Sequence, residues 1–406
     1  MKLSANARVA LIVMVASLGY FIDIYDIVIF SIVRIPSFDD LGIVGESART
    51  GGEYVLNMQM GGLLIGGIIW GIIGDKFGRI KVLFGSILMY SIANFANAFV
   101  HDLHTYAVIR FIAGFGLAGE LGAGVTLVSE TMHKDKRGYG TMLIATVGVL
   151  GALAAFFVAE EFDWRNAYIV GGVMGILLLG LRLGTFESGM FAKTAESDVA
   201  KGDIRMLFNN KERFLKYVYC LLIGLPIWFV IGIFVTQAPE FGHALGAPET
   251  LSAGKGILYS YIGISLGDLI AGLLAQVTKS RRLAVFIFQI GIIISSLFYL
   301  SSQGITEARF HWIAFFMGLG VGYWATFVTI ASEQFGTNLR STVTTTAPNF
   351  VRGALIPSTF LFEYFVDKFN IIHAGYIMII LLSLIALFAL SRLKESFNKD
   401  LDYIEV

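Results

Sequence analysis

Apolar runs of about 20 residues or more follow one another along nearly the whole chain, separated by short polar or turn-rich breaks. Each run is long enough to cross a hydrocarbon layer of about 30 Å as a helix, and a helix satisfies its own backbone hydrogen bonds in oil. The breaks predict twelve spans, near 8–35, 53–74, 80–100, 104–132, 138–160, 164–186, 213–238, 252–278, 282–302, 307–335, 341–366 and 371–393. The most polar stretch, Glu187 to Arg213, carries Lys193, Glu196, Asp198, Lys201, Asp203 and Arg205 and falls between the sixth span and the seventh. The predicted fold is therefore all-α and membrane-embedded: a six-helix bundle over residues 1–186, a cytoplasmic linker over 187–212 and a second six-helix bundle over 213–406. The first run follows Lys2 and Arg8 as a signal peptide would, yet it outlasts an h-region and contains Asp23 and Asp26, so it reads as a spanning helix.

Composition agrees, with 56% of the 406 residues hydrophobic, 15% charged and a mean hydropathy of +0.73, far from the quarter-charged makeup of a soluble domain. Basic residues set the orientation. Lys76, Arg79, Lys81, Lys134, Lys136, Arg137, the linker, Lys279, Arg281, Arg282, Arg340 and Arg392 all fall on one set of connections. About 22 of the 30 Lys and Arg lie on that side and about six opposite, which predicts that it is cytoplasmic and holds both termini. A multi-pass protein of the cell membrane, a bacterial inner membrane, is implied.

The zero net charge leaves no basic surface for nucleic acid. The lone Cys220 lies in an apolar run and reads as a small filler. All six histidines fall at loops or helix ends, which argues against a buried metal site. No phosphate-gripping glycine loop and no catalytic constellation is visible, so neither direct ATP drive nor an enzyme is expected, and no cofactor.

The two halves echo each other. Ser129 and Glu130 followed by Arg137 are matched by Ser332 and Glu333 followed by Arg340, each at the cytoplasmic end of the fourth helix of its half. The segment GIIGDKFGRIK, Gly71 to Lys81, aligns at nearly the same offset with GLLAQVTKSRR, Gly272 to Arg282. Repeats of this kind build transporter sites at the membrane midplane, between the halves. A channel would share the apolar spans but not the paired halves.

These residues carry a family resemblance. Gly74, Asp75, Lys76, Phe77, Gly78 and Arg79 resemble the major facilitator signature G-D-R/K-x-G-R-R/K between helices two and three. Within that superfamily the first half is most similar to the metabolite:proton symporters and the aromatic acid and sugar porters. The tetrapeptide Asp23 to Asp26 resembles their first-helix D-G-F-D, and Arg110 with GFGLAGELGAG, Gly114 to Gly124, resembles their fourth-helix R-x-x-x-G-x-x-x-G-G-E. In the second half, Glu333 to Arg340 echoes E-x-F-P-T-x-x-R, with Gly336 in place of the proline. The resemblance implies two pseudo-symmetric bundles and a cytoplasmic gate made by Asp75, Arg79, Glu130, Arg137, Glu333 and Arg340; the blander reading is that these charges solvate loops. Gln276 stands where the second-half copy of the loop should carry an acid.

An ionisable side chain at membrane depth is costly and marks function by default. Asp23 and Asp26, three apart, share one helical face. At the helical rise Asp26 lies about 24 Å from the cytoplasmic end of its helix, and Arg110 about 9 Å in from the opposite end of the fourth, so the two reach a similar depth. An aspartate gives up its proton readily beside a guanidinium and keeps it when buried alone, so making and breaking such a pair moves a proton. The resemblance implies Asp26 as proton carrier with Arg110 as its switch; a fixed structural ion pair is the alternative. Glu120, among Gly114, Ala118 and Gly122, is either a second titrating group or an anchor bonded to a neighbouring helix.

In the second half Arg352 lies about eleven residues into the eleventh helix, close to the midplane. Hydroxyls, Asn349 and Pro348 interrupt the apolar run beside it, as is tolerated next to a cavity. A forked cation there suits capture of a carboxylate or phosphate, unless Asp268 or Asp23 neutralises it. Tyr25, Trp228, Tyr323, Trp324, Gln237 and Asp268 are further candidates for the cavity wall. The sequence thus predicts a monomeric secondary active transporter of a small organic solute, an organic anion such as a carboxylate, driven by proton symport, with a proton-coupled exporter or a uniporter as alternatives.

Overall fold

The computed structural model describes residues 5–77, 79–120, 122, 124, 137–186 and 207–397, with the backbone alone at 5–8, 74–77, 79–80, 137–139, 141–142, 183–186, 337–338 and 340–341. The first bundle comprises α1 (Ala5–Asp40), α2 (Glu46–Phe77), α3 (Arg79–Asn97), α4 (Leu103–Leu117, with helical backbone again at Glu120), α5 (Arg137–Glu161) and α6 (Trp164–Phe186). The second comprises α7 (Lys211–Val235), α8 (Ala253–Thr278), α9 (Arg281–Leu300), α10 (Glu307–Glu333), α11 in two segments (Thr337–Gly353 and Leu355–Lys368) and α12 (Ile371–Arg392). Among the described residues nine of these are individually long and apolar enough to cross a membrane; α3, α4 and the hydroxyl-rich α11 complete the twelve.

Packing repeats with the sequence. In the first bundle α2 lies on α4, and α3 on α4 and α6; in the second α8 lies on α10, and α9 on α10 and α12. The seam between bundles is symmetric in the same sense, α2 against α11 and α5 against α8. Glycine permits the closest of these approaches. A Cβ on Gly62 or Gly114 would strike the main chain of Phe111 or Gln59, and one on Gly263 or Gly318 would strike that of Phe315 or Ser260, the small-residue contact by which helices associate in lipid. Leu177, Leu273, Ile294 and Leu384 remain exposed, an apolar exterior suited to acyl chains.

Four helices break near mid-depth. α4 turns at Ala118 and Gly119, α7 at Gly224 before Pro226 and a π-helical turn (Val230–Val235), α10 at Gly322 and Tyr323, and α11 at Ala354. Broken backbone at this depth survives only where protein or a wetted cavity satisfies it.

On the basic face, a carboxylate from beyond the last helix holds the start of α9. Glu395, just past α12, caps α9: it accepts from the Ser280 hydroxyl at 2.5 Å and from the backbone N–H groups of Arg281 at 3.0 Å and Arg282 at 3.3 Å. Partial burial pushes this carboxyl up, but the Ser280 hydroxyl and the backbone donors of Phe397, Arg281 and Arg282 outweigh it and hold the group below its usual range. A lowered value means stability that is present above the ordinary carboxylate pKa and lost as pH falls through the folded one. Glu395→Gln is expected to lower the thermal midpoint slightly at pH 7, by about 0.5–1 kcal/mol of helix capping softened by solvent. The difference should close in acid, where both side chains are neutral; equal midpoints at pH 7 would show that the charge contributes nothing.

Candidate functional site

The breaks in α4, α7, α10 and α11 surround Arg352. Arg352 is 2% exposed, and its guanidinium sits between two indoles, 5.5 Å from the Trp228 ring of α7 and 5.4 Å from the Trp324 ring of α10. One terminal nitrogen donates to Asn349 Oδ1 at 3.3 Å, whereas Nε and Nη2 have no hydrogen-bond partner among the described residues. Asn349 in turn donates to the Ala118 carbonyl at the α4 break, 3.1 Å away, and so ties the cation to the opposite bundle. Neither Asp268 nor Asp23 is paired with it: Asp268 accepts from the Ala325 backbone N–H at 2.9 Å, fixing the start of the second half of α10, and Asp23 Oδ1 has no donor among the described residues. Tyr20 and Tyr261, both buried, lie within electrostatic reach of the same guanidinium. Among the described residues, then, a buried cation keeps two N–H directions unanswered, an arrangement that is costly unless a polar group meets them.

In the first bundle Asp26 and Arg110 meet, both 0% exposed, at 2.9 Å. Arg110 also donates to the Asp26 carbonyl at 2.6 Å and to Asn94 Oδ1 at 3.3 Å, and lies over the Tyr168 ring. Asp26 Oδ2 has no donor among the described residues. Glu120 is engaged by both terminal nitrogens of Arg182 from α6, with the Ser86 hydroxyl at 3.5 Å. Gly19 leaves the space for that pair, since a Cβ there would collide with Glu120 and Arg182. Asp23, one turn along α1 from Gly19, falls within reach of Glu120, Arg352, Arg182 and Asp26.

Other candidates lie elsewhere. Tyr25 donates to the Ala167 carbonyl of α6 at 2.7 Å, inside the first bundle. Tyr323 donates to the Ile223 carbonyl freed by the α7 break, 2.7 Å away, where Gln289 joins it. Gln237 is drawn to Glu53 of α2 at 2.5 Å. Of the gate residues, Glu333 pairs with Arg281 at 3.3 Å and accepts from Ser396 at 2.7 Å. Glu130 and the side chains of Asp75, Arg79, Arg137 and Arg340 lie outside what is described.

Sequence reasoning missed a polar seam on the face opposite the basic one. Arg34 of α1, 1% exposed, pairs with Glu240 beyond α7 at 2.7 Å and donates to the Thr236 carbonyl at 3.2 Å. Arg49 of α2 contacts Glu46, Glu53 at 3.2 Å and Glu363 of α11. Thr236 bonds to Ser31 at 3.0 Å, and Thr359 to Asn57 at 3.3 Å. Each bond from Arg34 to Glu240, Arg49 to Glu363, Gln237 to Glu53, Thr236 to Ser31 and Thr359 to Asn57 crosses between bundles and shuts the mouth on that face.

Two pseudo-equivalent helical bundles enclosing a charged, aromatic-walled centre, closed on one side by contacts between them, define a membrane transporter. The family model of the Major Facilitator Superfamily matches residues 10–354, and the chain belongs to that family; it is a transporter and not an enzyme. It is similar to a protein of Bacillus subtilis (strain 168) assigned as a niacin/nicotinamide transporter NiaP, 25% identical over 93% of this chain and 94% of the relative. It is also similar to the niacin transporter NiaP of Acinetobacter baylyi, 32% identical over 40% of this chain and 37% of that one. Among solved structures, the proton:xylose symporter XylE bound to 6-bromo-6-deoxy-D-glucose shares the fold, with a TM-score of 0.70 at 19% identity over 98% of both chains.

Proposed function

We propose that the protein is a proton-coupled importer of a small organic anion, a planar ring bearing one carboxylate. The observation that carries this reading is Arg352, desolvated, flanked by Trp228 and Trp324 and left with two unanswered donors. A carboxylate would take two parallel N–H bonds from such a fork, and a flat ring would lie against the indoles. Niacin, named for two of the relatives, is a pyridinecarboxylate and has this chemistry. Proton coupling rests on the buried Asp26–Arg110 pair, whose separation would let Asp26 take a proton and whose re-formation would expel it. In this reading the basic face and both termini are cytoplasmic, the membrane is a bacterial inner membrane, and one chain suffices.

The test is flux in proteoliposomes, with probes chosen by a thermal-shift screen of pyridinecarboxylates, benzoates, sugars and amino acids. Under an inwardly directed proton gradient a symporter accumulates the radiolabelled carboxylate inside. Loss of preloaded carboxylate under the same gradient would indicate an exporter, and equilibration indifferent to the gradient a uniporter.

A further inference from the structure

We propose that Glu53 and Glu363 form a proton-binding site in the seam opposite the basic face, holding one more proton when that mouth is shut than when it is open. Both carboxyls present an Oε1 to the same Arg49 nitrogen. Glu53 is 7% exposed and Glu363 23%, so water does little to separate their charges. One guanidinium cannot neutralise two shared acids, and paired carboxylates at one site resist ionising together.

Among the described residues the surroundings supply no second cation. On α2, Glu46 also binds Arg49 but is 75% exposed and screened. From α1 and the segment after α7, Arg34 and Glu240 satisfy each other, while Gln237 gives Glu53 a neutral donor. Further out on α11, Asp367 and Lys368 are exposed. On the α4 side, His104 bonds to Tyr54 at 3.1 Å in an exposed contact. Leaving aside the solvent-screened Glu46, the buried site is thus one acid in excess, and a single proton balances Glu53 and Glu363 against Arg49.

Opening the mouth moves α11 away from α2, leaving Glu53 with Arg49 and Glu363 with water. The two acids then no longer share one cation, and the extra proton departs to the side from which it came. The consequence is distinct from coupling at Asp26: acidity on that face, external in the proposed orientation, favours the shut mouth without itself driving solute.

The test places spin labels at Val44→Cys, in the connection between α1 and α2, and Thr250→Cys, in the one between α7 and α8, both exposed, with Cys220 fully buried. Distances are measured by double electron–electron resonance in nanodiscs from pH 8 to 5, with no gradient and no substrate. The ratio of shut to open populations is expected to rise up to about tenfold per pH unit as pH falls. Glu363→Gln and Glu53→Gln, each a size-matched neutral replacement, should both remain shut at high pH and lose that slope; should one fail to fold, the other carries the test. A ratio in the parent that does not change with pH, or a parent-like slope in either variant, overturns the proposal.

Discussion

Replacing Arg352 by alanine is expected to weaken equilibrium binding of the carboxylate by about 100-fold. A hydrogen bond to a charged group contributes about 1.5–3 kcal/mol, and loss of a forked pair at the lower end of that range amounts to about 3 kcal/mol, or two decades of Kd. Arg352→Lys should recover only part of this, because an ammonium supplies a point charge without the planar fork and stacks less well between Trp228 and Trp324. Stability separates loss of binding from loss of folding. The guanidinium is buried with Nε and Nη2 unbonded, so removing it takes away a desolvated charge, and the thermal midpoint of the substrate-free Ala variant should hold or rise. Isothermal titration with the carboxylate chosen by the thermal-shift screen reads the first quantity and a melting scan the second. Unchanged affinity would remove anion capture from α11.

The helices were legible because oil makes hydropathy a direct readout of span. The prediction of 371–393 meets an observed Ile371–Arg392, and that of 164–186 meets Trp164–Phe186. The first helix runs further than predicted, to Asp40, because the hydrogen-bond ladder continues past the hydrocarbon edge that the apolar pattern marks. The Asp26–Arg110 pair could be anticipated from the fixed rise of two antiparallel helices, which gives depth from residue number alone. Arg182 could not, since it lies within about a turn of the basic end of α6 and reads as one more orienting charge; only the close approach of α6, α4 and Gly19 makes it the counter-ion of Glu120. The seam of Arg34, Arg49, Glu53, Glu240 and Glu363 was hidden for the same reason: these residues sit near helix ends, where charges ordinarily meet water, and contact between bundles buries them. Tyr25 and Tyr323 had the right chemistry for a cavity wall, but carbonyls on neighbouring helices claimed their hydroxyls, a non-local outcome that periodicity does not encode.

Asp26→Asn is expected to abolish accumulation driven by a pH gradient while solute-for-solute counterflow continues. The amide keeps the shape of the carboxyl and an oxygen for Arg110 Nη1, 2.9 Å away in the parent, but it cannot take up or release a proton. Counterflow needs only loaded rearrangement, whereas net uptake needs an empty carrier to return after shedding its proton, and that step is lost. The cost is a cation without its counter-charge: breaking a buried pair on one side destabilises by about 3–5 kcal/mol. Here the Asp26 carbonyl at 2.6 Å, Asn94 at 3.3 Å and the face of Tyr168 retain part of Arg110's solvation, so the variant should fold with a lowered midpoint. Adding Arg110→Gln removes the stranded charge and should recover stability without restoring drive. Counterflow in the single or double variant together with absent gradient-driven uptake in both assigns the proton to Asp26. Accumulation that persists in Asp26→Asn would instead leave Asp26 and Arg110 as a structural ion pair and move coupling to another acid, with Asp23, buried and lacking a donor at Oδ1, the next to replace.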